Sequence, residues 1–581
     1  MSDHTAEPSR PENGSDPATA EPAAAEVPPP GDTAQQTMPA GVPEPPKVPS
    51  YAQQARPTRA DPWGQGRTAP KELSLLRPAR PGDIPVATLW SVLATGLLSA
   101  LLLGDGIGLN LLLVALPAAL AAYFAARSAA RRLRPWTAVW AVGGLALLVV
   151  PALRDAGWPS FLAIVSAFAL GSLALHGSRS WLGVFLGSLG LLTSVAESLG
   201  WAVRGLRDRM AGSRGRWGVV VRSGAVAIVL LIVFGALFAS ADAAFADVLG
   251  DLIPDVSIGD GPWRLFLAVL GLVGALAAAY TAAAPVRWDK LPVRPGKARG
   301  RLEWALPLIV LNLLFAGFLA IQLTVLLGGY DKVMAETDLS YSQYAREGFW
   351  QLLWATLLTL LVIALALRWA PRGGARDRTL VHGVLGTLCL LTLVVVASAL
   401  RRMDLYVDAY GLTRLRISVA AVELWLGAVL VLIMAAGVFG ARLLPRAVAA
   451  SAAAGVLAFG LLSPDGLIAE QNVQRYRSDH SIDIEYLQGL SADAVPALDT
   501  LPEPLRSCAL EEIQRTLRSS DEPWYATSWG ESRARDILGD WDPGARTRDC
   551  RGLGSGDNGS ERGGSDDQYD PYDQYDPYDP Y

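Results

Sequence analysis

Between about Pro85 and Ser463 the chain alternates long apolar runs with short polar connections, while both ends are polar. The runs cover about 85–103, 107–126, 136–153, 158–176, 181–200, 220–240, 263–284, 303–327, 348–369, 380–400, 417–440 and 447–463. An apolar run of about 17 or more residues can cross a hydrocarbon core roughly 30 Å thick. Within lipid each backbone N–H and C=O must find its partner inside the segment, so such runs must be helices. The pattern predicts an all-α protein: a polytopic transmembrane helix bundle of about 11–12 spans, with a disordered N-terminal segment and a small helical C-terminal region.

The connections carry the orientation, because Arg and Lys concentrate on the cytoplasmic side. Arg67, Lys71, Arg77 and Arg80 precede the first run, and Arg127, Arg131, Arg132 and Arg134 follow the second. Further along, 204–216, 287–301 and 372–378 are basic, whereas 242–260 (Asp242, Asp247, Asp251, Asp255, Asp260) and 331–338 (Asp331, Glu336, Asp338) are acidic. Basic in and acidic out places the N-terminus in the cytoplasm, the Gly104–Gly106 turn outside, and the C-terminal region outside. Two features resist. Three apolar runs lie between Arg134 and Arg204, which both belong inside, and an even number of crossings is needed. The run 181–200 is the weakest, breaking at Thr193-Ser194 before Glu197, and is expected to be re-entrant or interfacial; twelve spans with one misplaced basic connection is the alternative. The second is the connection 401–416, which would lie outside despite Arg401, Arg402, Arg414 and Arg416.

The ends read differently from the middle. Residues 1–80, rich in Pro, Ala and Glu, hold too little apolar surface to offset the entropy of ordering, and are expected to be a disordered cytoplasmic segment. They lack the features of a signal peptide, so the first membrane helix is expected to act as the uncleaved insertion signal. After the transmembrane domain at 81–463, residues 464–551 are expected to form a small extracytoplasmic helical region. Ser491 suits a helix N-cap, and Leu505, Ala509, Ile513 and Leu517 recur at helical spacing. Residues 552–581 are expected to be a disordered Asp/Tyr-rich tail in which Tyr569, Tyr572, Tyr575, Tyr578 and Tyr581 recur every third position, as in a solvated polyproline II-like segment, with a ligand tail for a partner as the alternative.

Composition narrows the chemistry. The net charge of −5 carries no nucleic-acid signature. No phosphate-binding loop or nucleophile turn is present, and His4, His176, His382 and His480 are scattered, so neither a cofactor nor a metal is expected. Ionisable groups inside spans are functional candidates, since a charge in lipid costs several kcal/mol by most scales. Glu423 and His382 are those candidates, with Glu197 in the ambiguous run. Asn110, Asn312 and Gln322 read more simply as interhelical hydrogen bonds. Outside, Tyr330, Tyr341, Tyr344, Phe349 and Trp350 surround Asp338, Arg346 and Glu347; these form either an interfacial aromatic belt or a binding surface using Arg346 and Glu347. Asp242, Asp338 and Glu347 are the acids available to an extracytoplasmic reaction. Of three cysteines, Cys389 lies in a span, while Cys508 and Cys550 flank the C-terminal helices and are expected to pair if that region is extracytoplasmic.

Four stretches resemble one bacterial family catalogued as a domain of unknown function (the 4153/4173 group). They are Ser240-Ala241-Asp242-Ala243-Ala244-Phe245, the segment 341–350, the segment Ala409-Tyr410-Gly411-Leu412-Thr413-Arg414-Leu415-Arg416, and Asn472–Tyr476 followed by 483–498. The resemblance implies a polytopic membrane protein and supplies no activity or catalytic residues. The reading that follows is a non-enzymatic membrane scaffold or sensor-like component, whose partners are the lipid bilayer and a further membrane protein. A secondary transporter and a membrane-embedded transferase acting on lipid-linked substrates are the alternatives.

Overall fold

A computed structural model describes residues 81–132, 134–212, 261–291, 296–328, 341–371, 373–520, 522–539 and 541, with isolated helical residues between 223 and 234. The N-terminal segment, the run at 220–240 apart from those isolated residues, and the C-terminal tail lie outside the described residues. All the described structure is helical or irregular.

The first group is α1 (Val86–Leu102), α2 (Asn110–Ser128) and α9 (Gly261–Ala283), with α9 packed against both others. Small residues let α1 and α9 approach closely. A Cβ on Gly96 would sit 3.2 Å from Leu272 Cβ, and one on Gly271 would collide with Ser99 Oγ. Close backbone approach of this kind is how helices associate when lipid offers no hydrophobic driving force. The second group is α3 (Pro135–Leu147), its one-turn continuation α4 (Val150–Leu153), α5 (Gly157–His176) and α14 (Leu444–Leu461) around Trp140, Leu147, Ala163 and Leu170. The third is α10 (Arg301–Gly328), α11 (Tyr341–Trp369), α12 (Ala375–Tyr410) and α13 (Arg414–Phe439). Contacts of α13 with α14 and of α5 with α9 join the groups. Nine helical segments among the described residues are long and apolar enough to cross a membrane, and the 17-residue α1 is an apolar helix of nearly that length. The protein is an integral, multi-pass membrane protein.

The run 181–200 does not form a span. It folds as α6 (Trp181–Ser188), α7 (Gly190–Thr193) and α8 (Val195–Gly212). Ser172 of α5 sits in the break, its Oγ donating to Gly187 O at 2.5 Å and accepting from Leu191 N at 3.1 Å. These are backbone groups that a broken helix would otherwise leave without partners. Asp289, from the turn after α9, caps the start of α6 by accepting from Arg179 N and Ser180 N. Trp201 of α8 donates to Gly82 O at 2.8 Å, just before α1. The segment therefore begins and ends at the same end of the bundle. Arg131 also belongs there through Ala282 O, Arg446 through Ser178 O and Gly177 O, and Arg301 through Asp377. With two crossings between Arg134 and Arg204, those arginines share one end, as the charge rule requires.

Two expectations need correction. The connection 401–416 is mostly helix, because α12 runs on to Tyr410: Met403 stays buried and an Arg401–Asp404 pair supports the exposed side. Ser491 precedes a 3₁₀ turn but makes no side-chain cap; its backbone N–H, not its hydroxyl, is bonded. After α14 the chain enters α15 (Pro464–Asp479), α16 (Ile484–Gln488), α17 (Val495–Leu498), α18 (Leu505–Ser519) and α19 (Trp529–Leu538). These share a core of Ile468, Leu487, Leu498, Leu510 and Ile513, and Leu505, Ala509 and Leu517 are buried in it as their spacing predicts.

Thiols introduced by Arg132→Cys, Ser188→Cys, Lys297→Cys and Arg378→Cys should all react with an impermeant reagent from one side of the membrane, and those from Asp404→Cys and Asp479→Cys from the other. Labelling of Ser188→Cys from the side opposite Arg132→Cys would restore the twelve-span arrangement.

Candidate functional site

The C-terminal helices cover one end of the bundle, and the buried acids Asp465 and Asp493 lie where they meet it. The turn between α12 and α13 starts the site. Gly411 has φ +80°, and a Cβ there would run into Asn472 Oδ1. The turn thus passes beneath α15, where Asn472 Nδ2 donates to Leu412 O at 2.8 Å and Arg475 Nη2 to Ala409 O at 2.7 Å. Thr413 caps α13, and Arg414 on the first turn grips Asp465 with Nε at 2.9 Å and Nη2 at 2.6 Å. Asp465 is fully buried and also accepts from Ser491 N at 3.0 Å and Trp158 Nε1 at 3.4 Å. Burial opposes its ionisation, but Arg414 and these donors outweigh it and hold the carboxyl below the usual carboxylate range. Arg414 N–H in turn donates to Tyr486 Oη at 2.7 Å.

A second pair of acids works by exchange of backbone bonds. Asp493 Oδ2 accepts from Asp155 N at 3.0 Å and Ala156 N at 3.3 Å, at the start of α5, while Asp155 Oδ2 accepts from Ala492 N at 2.8 Å. Arg154 Nη1 stands 4.0 Å from Asp493 Oδ1, and Arg154 Nη2 donates to Leu461 O. Burial pushes Asp493 up to about 6, with Asp155 adding to the effect against the opposing Arg154 and backbone donors. Burial raises Asp155 too. At the edge, Arg264 Nη2 reaches Asp105 at 2.7 Å, Tyr525 Oη donates to Asp105 at 3.1 Å, and Asn110 N–H donates to Tyr525 O. Glu522 and Glu531 on the C-terminal side are both raised, chiefly by burial.

Chemically this is a clasp. Its carboxylates face arginines and backbone N–H groups, and among the described residues no group of three or more His, Cys, Asp or Glu side chains is placed to hold a metal ion. The arginines that resisted the charge rule are engaged here: Arg414 on Asp465, and Arg416 over the Tyr406 ring at 4.2 Å and on Tyr410 O. Asp155, Asp465 and Asp493 did not stand out as site residues in the sequence. The usable signal was the excess of arginine in the connection 401–416, which requires acids to meet it.

Of Glu423, His382, Asp242, Arg346 and Glu347, singled out from sequence, the first two are the ones whose side chains are described. Glu423 is fully buried on α13, and Thr356 Oγ1 of α11 lies 3.1 Å from both Glu423 Oε1 and Leu352 O. One hydroxyl carries one proton, and Leu352 O can only accept. Both contacts are satisfied together when Glu423 carries a proton and donates to Thr356. His382 lies on an exposed face of α12. Arg346 and Glu347 fall in the first turns of α11 with their side chains outside the described ones, and Asp242 and Cys550 lie outside the described residues. Cys508 is buried and disulfide-bonded, and Cys389 is free and buried. Asn110 bonds Leu102 O and Gly106 O; Asn312 bonds Val384 O, and Gln322 bonds Ser398.

Two outcomes follow from this geometry. Because Asp493 is raised in the folded state, the folded protein binds more protons than the unfolded chain between about pH 4 and 6, so stability should fall as pH rises through that window. The thermal midpoint should therefore rise on going from pH 7 to pH 5. Asp493→Asn, neutral at both values, should flatten the dependence, removing an effect on the order of 3 kcal/mol; an undiminished slope in that variant would assign the effect to other groups. For Glu423, an apolar carbodiimide should modify the protonated acid in wild type. Glu423→Gln should abolish that labelling while leaving the amount of protein in the membrane unchanged, whereas Glu423→Ala should destabilise by about 1–3 kcal/mol. No labelling in wild-type membranes at neutral pH would mean that Glu423 is ionised.

No curated protein and no solved structure matches the chain. Residues 141–501 match the family described as Domain of unknown function (DUF4153). That match takes in more than half of the chain, including both motifs that meet at Arg414, and the protein belongs to this family.

Proposed function

We propose that the protein is a non-catalytic scaffold or sensor-like component of the cell membrane, with its N-terminus in the cytoplasm and its C-terminal helices outside. One observation carries the reading: the buried charges of the C-terminal region are used to dock it on the bundle. Arg414–Asp465, the Asp155–Asp493 exchange, and the contacts of Tyr525 with Asp105 and Asn110 bind the helices 464–538 to three separate parts of the membrane domain. Such an arrangement couples an outer surface to the spans without a reacting group. The orientation is supported by Arg127, Arg131, Arg132, Arg134, Arg376 and Arg378 at the uncovered end. A Cys508–Cys550 disulfide belongs to the same reading, since an outer region is where such bonds persist.

Asp465→Asn leaves Arg414, whose side chain is 40 % exposed, facing a neutral partner, and should weaken docking by about 1–2 kcal/mol after solvent screening. In native membranes that variant should remain inserted and become sensitive to protease within 464–538. A membrane-protein partner copurifying stoichiometrically with wild type should be lost from it. Solute uptake by vesicles carrying the purified protein, or covalent capture of a lipid-linked substrate on it, would replace this reading with the transporter or the transferase.

A further inference from the structure

On the flank of the third helix group, away from the clasp, α10 and α12 separate to leave a cavity of about 810 Å³ that opens sideways. Its walls are Ile309, Leu313 and Ala316 on one side and Leu380, Val384 and Leu391 on the other. We propose that this groove holds an acyl chain of an anionic phospholipid whose phosphate sits on Arg376.

Three features specify the occupant. The first is place. Both helices belong to spans, and Leu313 on the rim is 67 % exposed, so in a bilayer the opening faces hydrocarbon. The second is length. Along α12 the lining runs from Ala375 to Leu391, about 24 Å at 1.5 Å per residue, which exceeds the roughly 15 Å of hydrocarbon in one leaflet. A chain entering at the headgroup level thus finds a mainly apolar wall, interrupted by Asn312, Thr379 and Thr387. Gly383 widens the wall, since a Cβ there would meet nothing within 4 Å.

The third feature is charge at the mouth. Arg376 lines the groove at its end, is exposed, and makes no ion pair or hydrogen bond among the described residues. The acid beside it cannot neutralise it, because Asp377 points away into a pair with Arg301 and accepts from Gly373 N–H. Arg378 adds a second exposed cation one residue beyond Asp377. A guanidinium matches two phosphate oxygens at once, and a headgroup without a balancing cation gains most from this surplus. The site therefore selects by headgroup charge at one end and by a mainly apolar slot along the rest.

The test uses the full-length protein in phosphatidylcholine nanodiscs doped with phosphatidylglycerol that carries a photoactivatable group on its acyl chain. Phosphatidylcholine carrying the same group is the control. Illumination should place phosphatidylglycerol adducts on peptides containing Ile309–Ala316 and Thr379–Leu391, several-fold above the control. Arg376→Gln should bring the two lipids to the same level. Gly383→Leu, which fills open space, should remove adducts of both from these peptides at an unchanged thermal midpoint. Ala316→Leu serves as the second filling variant if Gly383→Leu loses stability. Equal labelling by both lipids in wild type, or adducts that ignore both filling variants, would overturn the proposal. So would crosslinks from the groove to a second copy or to another segment of this chain in place of lipid.

Discussion

A helix that stops at a membrane surface leaves backbone groups at each end with no partner inside the helix, and short connections supply few. Both ends of this bundle are organised by that shortage. At the uncovered end, Asp289 takes the N–H groups at the start of α6, while Arg131 and Arg446 donate to the carbonyls that end α9 and α5. At the other end the partners come from far along the chain. Asp493 takes the N–H groups before α5, Arg154 takes the carbonyl that ends α14, and Asp465 receives Arg414 from the first turn of α13. The C-terminal helices thus complete the helix ends they cover, which explains why so polar a region is bound so closely to an apolar bundle.

The same bonds engage the arginines that stand out against the expected orientation. Arg in a connection favours the cytoplasmic side as an uncompensated cation. Along 401–416, Arg401 pairs with Asp404 and Arg414 with Asp465, and Arg416 lies over the Tyr406 ring. A linear count of arginines cannot register a partner 51 residues away, as Asp465 is from Arg414. The arginines and the buried acids are therefore one fact, seen first as a surplus and then as a pair.

Legibility in the sequence followed the range of the interaction concerned. Hydrophobic runs are local, and the spans agree with the observed helices to within a few residues where the helix stops with the apolar run, as in α5 and α9. The agreement fails where packing extends a helix past the apolar run, as in α12, whose last turns bury Met403 against α11. The break in 181–200 was visible at Thr193-Ser194, but the hydroxyl that stabilises the earlier break at Leu189 belongs to Ser172 on another helix. Glu423 was legible because an acid in a span is rare. Asp155 and Asp493 were not, because acids in polar connections are common and only their mutual exchange of backbone bonds sets them apart.

One helix links the two kinds of buried acid. Arg414 of the clasp and Glu423 lie nine residues apart on α13, about 14 Å along its axis. Between them the helix has no proline, glycine or irregular turn, the usual causes of a kink. Glu423 meets Thr356 of α11 through one contact at 3.1 Å, a length that tolerates little displacement before it ceases to be a hydrogen bond. An axial or rotational shift of α13 sufficient to free Arg414 from Asp465 would strip Glu423 of this partner within the membrane, where replacing it is costly. The clasp and the buried acid are thus held on one uninterrupted helix, and a movement of α13 along its axis would be opposed at both places.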